Sequence, residues 1–295
     1  MSHSKWLDAS RSLAQTNVFA MFFLGISAGI PLLLIFSSLG LWLREAGIDR
    51  ATATLFSWAA LGYSFKFVWA PLADKLPLPI LSQRLGQRRS WLLLSQLMVI
   101  LAITLMSSVN PAQDSLFLMA SAAVLLGFSS ATQDIIIDAY RIESADNNQQ
   151  AILSASYIAG YRSGMILSGA GALLLASYLG SSSHNYSYPA WQLTYLCMAA
   201  FMLIGIITTL IIQEPNHSAS RIEPQNHHEH WQLLMLFTFL VSSFIGSYWV
   251  SSDPSIIAKN HLSVTLSSQA LANFLIECCR LMAGIASAAL VAKLL

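Results

Sequence analysis

Residues 115–139 read SLFLMASAAVLLGFSSATQDIIIDA. From Ser115 to Ala131 the stretch carries no charge and no polar group larger than a hydroxyl. Crossing the hydrocarbon core of a bilayer takes about 20 such residues in a helix. The strict polar/apolar alternation of a barrel strand is absent. A helix is then the only other way to satisfy backbone hydrogen bonds in lipid. The last turns add Asp134 and Asp138, four apart and therefore on one helix face. Carboxylates inside a spanning helix are costly, which makes them functional candidates by default. The stretch thus predicts an all-α, membrane-spanning fold with buried charge.

Working outward, about eight runs have this character. They cover residues 18–43, 52–73, 91–109, 115–139, 151–179, 191–212, 231–250 and 268–290. Over all 295 residues, 55% are hydrophobic and 10% charged. A soluble domain carries about 25% charged residues, so this chain could not cover a water-facing surface. Mean hydropathy of +0.59 agrees. Intrinsic disorder is excluded, since it needs low hydrophobicity and high charge. A net charge of +1 leaves no basic surface for nucleic acid. Cys197, Cys278 and Cys279 sit in apolar runs without disulfide or metal-ligand spacing.

Lys and Arg set the expected orientation. The N-terminal stretch and even-numbered loops hold Lys5, Arg11, Lys75, Arg84, Arg88, Arg89, Arg141 and Arg221. The odd-numbered loops hold only Arg44, Arg50 and Lys259. The N-terminus is therefore expected in the cytoplasm, in a multi-pass protein with the lipid bilayer as its main partner. No cleavable signal peptide is expected, because the first run is long enough to span. Residues 214–230 are polar and contain Pro215 and Pro224. They read as a cytoplasmic linker between a six-helix bundle, residues 1–213, and the incomplete start of a second, residues 231–295. His217, His227, His228 and His230 fall in the linker, where no Cys or paired carboxylate completes a metal site. No metal and no cofactor is expected.

Other charges inside the runs are Lys66, Arg162, Glu277 and Arg280. Two carboxylates on one face repel unless a cation or a proton intervenes. Lys66 and Arg162 are the cations available to Asp134 and Asp138. A carboxylate that exchanges such a partner for a proton is a coupling element; a helix-end anchor is the plainer reading for Asp138. Glu277 and Arg280, three apart, can satisfy each other. Pro31, with Gly29 just before it, removes a backbone donor and should kink or interrupt the first helix. Gly160, Gly164, Ser168 and Ala172 form a small-xxx-small stripe that predicts close helix packing. Thr132, Gln133, Tyr157 and Tyr161 add hydrogen-bonding and aromatic groups that suit a large polar solute. Trp42, Trp69 and Trp91 fall near span ends and read as interfacial belt residues. No metalloprotease helix, phosphate loop or nucleophile elbow is present, so neither an enzyme nor an ATP-driven pump is expected.

Several segments resemble one family. They are Gly25-Ile-Ser-Ala-Gly-Ile-Pro-Leu32, Phe65-Lys-Phe-Val-Trp-Ala-Pro-Leu-Ala-Asp74, Gly86-Gln-Arg-Arg-Ser-Trp-Leu-Leu93 and Ser130-Ala-Thr-Gln-Asp-Ile-Ile-Ile-Asp-Ala139. The last is followed by Gly160-Tyr-Arg-Ser-Gly164 and Ser168-Gly169. Together they resemble the AmpG muropeptide permeases, a branch of the major facilitator superfamily related to acetyl-CoA transporters. The likeness covers about residues 20–212, and its most specific elements are Gln-Asp-x-x-x-Asp-Ala and Gly-Tyr-Arg-x-Gly.

The resemblance implies proton-coupled import of anhydro-muropeptides, the sugar-peptide fragments of cell-wall turnover, across the bacterial inner membrane. It implies cavity or gate positions for Lys66, Gln133, Asp134, Asp138, Tyr161 and Arg162. Asp74, Arg88 and Arg89 resemble the superfamily's cytoplasmic gate motif between helices two and three. After residue 230 the likeness weakens: Ser242-Ser-Phe-Ile-Gly-Ser247 stands where the family carries Lys-x-Gly-Asp. On the superfamily's plan of two six-helix halves, the chain reads as C-terminally truncated or as working with another polypeptide. A different solute, such as a drug or a coenzyme-A ester, and a non-transporting membrane protein stay open as alternatives.

Overall fold

The computed structural model describes residues 16–145, 148–215 and 269–294, with scattered positions between 235 and 262. The described residues are helical, apart from loops and one isolated bridge between Ser182 and Asn185. They belong to two compact units, Met1–Glu223 and Pro224–Leu295. This is an all-α polytopic membrane protein.

The first unit contains α1 (Thr16–Glu45), a segmented α2 (50–75), α3 (Gln87–Ser107), α4 (Leu116–Glu143), α5 (Gln150–Tyr178) and α6 (Tyr188–Ile211). Five of these, α1 and α3 to α6, are long and apolar enough to cross a membrane, whereas α2 is divided into short helical segments. The second apolar run corrects the expectation of a plain spanning helix. Between Arg50 and Lys75, α-turns alternate with 3₁₀ turns at Phe56–Ala60 and Lys66–Val68. Pro71 accounts for the second of these. It has no N–H for the carbonyl of Phe67, and its ring crowds that carbonyl, so the turn before it tightens.

The first and fifth runs are also modified. In α1 the α-helix gives way to a π turn at Leu34–Ser38, within one turn of Pro31. The N–H of Leu39 there bonds to the carbonyl of Leu34, five residues back. A matching π turn occupies Leu167–Gly171 of α5. Such turns interrupt the regular backbone ladder, and side-chain hydroxyls tie them to neighbouring helices. The Ser38 hydroxyl donates to the Ser168 carbonyl at 2.7 Å, and the Tyr195 hydroxyl donates to the Leu34 carbonyl at 3.1 Å.

Inside lipid no hydrophobic force draws helices together, so close backbone contact and polar links carry the packing. Helices α1 and α5 meet through four glycines. A methyl group on Gly25 or Gly29 would land on the Tyr157 or Tyr161 carbonyl. One on Gly160 or Gly164 would land on that of Phe22 or Ile26. The small-residue stripe on α5 therefore has a matching stripe on α1. At the far end of α1, Trp42 stacks on Trp191 with ring centroids 5.7 Å apart and lies 4.7 Å from Tyr195. Trp42 is fully buried, and Trp69 is nearly so, donating to Thr132 Oγ1 at 3.1 Å. Both are buried side chains and not lipid-facing belt residues: the Trp42 indole N–H donates to Tyr186 of the loop before α6, and that of Trp69 to Thr132 of α4.

In the second unit, α7 spans Gln269–Leu294 and covers the eighth run from residue 269 onward. Glu277 pairs with Arg280 at 3.0 Å and also with Lys259. The seventh run is only partly described, and the linker histidines, Lys5, Arg11 and Arg221 lie outside the described residues.

Candidate functional site

Asp134 sits near the middle of the polar part of α4 and is 7% exposed. Its Oδ1 accepts a hydrogen bond from the Tyr157 hydroxyl of α5 at 3.3 Å. Tyr157 and Tyr161 are ring neighbours, 5.9 Å apart. Tyr63, from α2, shares a 2.6 Å hydrogen bond with Ser130 one turn before Asp134. All three tyrosines lie within electrostatic reach of the carboxylate. So do the charges of Lys66 and Asp138. Lys66 is carried in by the 3₁₀ turn before Pro71. The result is a buried carboxylate bonded to one tyrosine hydroxyl, with two further tyrosines and one cation in electrostatic reach and no ion pair of its own among the described residues.

The other expected residues divide. Gln133 does not reach this cluster. It is fully buried on another face of α4, where its Nε2 donates to Ser27 Oγ of α1 at 2.8 Å. One residue along a helix turns the side chain by about 100°, so neighbours in sequence serve different faces. Asp138 pairs with Arg141 of its own helix at 3.1 Å, the helix-end anchoring that the sequence had left open. Arg162 is exposed and contacts Met165 Sδ at 3.7 Å. It meets neither aspartate. Gly29 and Pro31 lie in buried parts of α1, just before its π turn.

A second cluster stands at the C-terminal end of α2. The Arg88 guanidinium, at the start of α3, is bound at 2.6 Å by Asp74 of α2 and at 2.6 Å by Glu143 at the end of α4. Arg89 donates to the carbonyls of Thr209 and Leu210 at the end of α6, at 3.1 and 2.8 Å. The Glu214 carboxylate returns across the N-terminus of α3, accepting the N–H groups of Arg88 and Arg89 at 2.8 and 3.0 Å. Gly86 makes room for it: its φ is 88°, and a Cβ there would overlap the Glu214 side chain. Four helix ends are thus tied at one point.

Sequence reasoning named Asp74, Arg88 and Arg89 but missed Glu143, Glu214 and Tyr63. Glu143 is the acidic residue closing α4, and Glu214 follows the end of α6. An acid at a helix end beside a basic loop is the signal that could have found both.

The fold and the two polar clusters describe a helical membrane protein with buried charge between its helices. Residues 14–294 match the Major Facilitator Superfamily, and the chain belongs to that superfamily. It is 42% identical over 198 residues to "Putative transporter AmpG 4" of Rickettsia felis, covering 67% of this chain and 45% of that protein. It is 36% identical over 206 residues to "Anhydromuropeptide permease" of Escherichia coli K12, covering 70% of this chain and 39% of that protein. The likeness to AmpG-type permeases read from the motifs holds in both. These alignments reach over less than half the length of either relative.

Proposed function

We propose that this chain forms part of a proton-coupled permease that imports anhydro-muropeptides across the bacterial inner membrane. Its N-terminus and the 75–90 loop face the cytoplasm. Residues 1–213 serve as the first bundle, 214–230 as the linker, and 231–295 as the start of the second.

The observation that carries this reading is Asp134, buried within α4 beside Tyr157 and within reach of Lys66. A buried charge must be balanced by a cation or removed by a proton. Asp134 takes the proton, and Lys66 is the cation it releases or recovers as the site changes state. Tyr157, Tyr161 and the exposed Arg162 offer a ring face, hydroxyls and a cation to a sugar-peptide solute. Asp138 holds the helix end and tunes the field at Asp134. Asp74, Arg88 and Arg89 act as the cytoplasmic gate latch, with Glu143 and Glu214 completing it.

The test is uptake of labelled anhydro-muropeptide in a strain lacking its own permease. Two forms are compared: the chain alone, and a chimera carrying the second half of the E. coli relative. Uptake by either form, competed by unlabelled muropeptide but not by a coenzyme-A ester, supports the reading. Competition by the ester alone would assign a different solute.

A further inference from the structure

A pocket of about 450 Å³ opens between the far end of α1 and the start of α2. This is the end of the bundle opposite the Arg88 cluster. The volume falls within the roughly 300–1,000 Å³ of small-molecule sites. Its lining includes Ser37, Gly40, Arg44, Arg50, Thr54 and Ser57, and no carboxylate.

Three features set the two arginines apart. First, they are two of the three basic residues in the odd-numbered loops, against the charge bias of the rest of the first unit. Second, among the described residues neither guanidinium has a hydrogen bond or an ion pair, and both are exposed. The nearby acids are engaged elsewhere. Glu45 accepts from Ser181 Oγ at 2.6 Å and Trp191 Nε1 at 2.8 Å, and Asp49 caps α2 by accepting the Thr52 N–H at 2.9 Å. Third, Arg50 opens its helix, where the helix dipole disfavours a cation, so local helix stability does not explain it. Thr54 and Ser57 donate their hydroxyl protons to the carbonyls of Arg50 and Thr54. The donors left to the pocket are the two guanidinium groups and the Ser37 hydroxyl.

Two forked, permanently charged donors converging on one pocket suit a carboxylate or a phosphate. We propose that this pocket binds the oxyanion of a soluble ligand through Arg44 and Arg50, upstream of the Asp134 site. The identity of that ligand as a muropeptide carboxylate rests on the function proposed above; the oxyanion site itself does not.

Phenylglyoxal labelling of arginine tests this in phosphatidylcholine nanodiscs, with mass spectrometry of the labelled peptides and Arg84 as the exposed reference. Phosphate and anhydro-muramyl tetrapeptide should each slow labelling of Arg44 and Arg50 at least fivefold. The same muropeptide with its carboxylates amidated should not. Arg44→Gln should raise the phosphate concentration needed to protect Arg50 about tenfold. Protection by phosphate but not by muropeptide keeps the oxyanion site and removes the muropeptide as its ligand. Equal labelling with every probe overturns the site. Shielding by phosphatidylglycerol discs alone, with no effect of phosphate, also overturns it by making a lipid headgroup the occupant.

Discussion

Asp134 and Gln133 are covalent neighbours, yet they do unlike work. Gln133 ties α4 to α1 through Ser27, inside a buried polar group that also holds Gln96 and Thr209. Replacing Gln133 with Ala should therefore lower the melting temperature in detergent, at a cost of about 1 kcal/mol. A transport-specific loss without loss of stability would contradict this. The sequence motif put both residues near one cavity, because a motif reports which residues recur together and not which way each faces. The same scale separates two acids of the Arg88 cluster. Glu143 is largely shielded from solvent, whereas the Asp74 carboxylate is 44% exposed. Glu143 accepts two hydrogen bonds from Arg88 and Asp74 accepts one, so Glu143→Ala leaves the buried guanidinium with only the half-exposed Asp74 among these acids and should cost about 2 kcal/mol. Asp74→Ala should cost under about 1 kcal/mol, as for an exposed pair. Thermal melts of the two variants give the order directly.

At the scale of elements, the α1–α5 contact depends on bare backbone. Gly29→Leu should drive the two helices apart, since even a methyl there meets the Tyr161 carbonyl. We expect a fall of several degrees in melting temperature, on the order of 2 kcal/mol. Gly40→Ala is the control, because nothing lies within 4 Å of its added methyl. Similar melting of the two variants would show that the close approach is not what holds α1 to α5. The α5 stripe was legible as a spacing of small residues. Its partners on α1, Gly25 and Gly29, were read as part of a motif and, for Gly29, a helix break, because pairing belongs to the assembled bundle. The second run was misread for a related reason. Its hydropathy suits a plain helix, but Pro71 tightens the turn that precedes it. The π turns had no sequence signal beyond Pro31, which stands near one of them and not the other.

At the scale of the molecule, the charge distribution carried more than the composition did. Low charge gave the membrane, and the handful of buried charges picked out helices α2, α4 and α5. Their pairing was not legible. Lys66 and Arg162 each looked available to Asp134 and Asp138, yet Arg162 is exposed beside Met165 and Asp138 pairs with Arg141. The proposed orientation rests on the loop charges and is open to direct test. Single cysteines at Gln83 and Asn110, in a background without Cys197, Cys278 and Cys279, should react oppositely with an impermeant maleimide. Labelling from outside is expected at residue 110 and protection at 83; the reverse pattern would invert the topology.

The central claim is that Asp134 carries the coupling proton. The direct measurement is labelled anhydro-muropeptide uptake into membrane vesicles holding the transport-competent form, with and without an imposed inward proton gradient. Uptake by the native sequence should rise several-fold with the gradient. Asp134→Asn should bind the solute but take it up at one rate whatever the gradient. An Asp134→Asn form that still accelerates with the gradient, as the native sequence does, would place the proton on another residue.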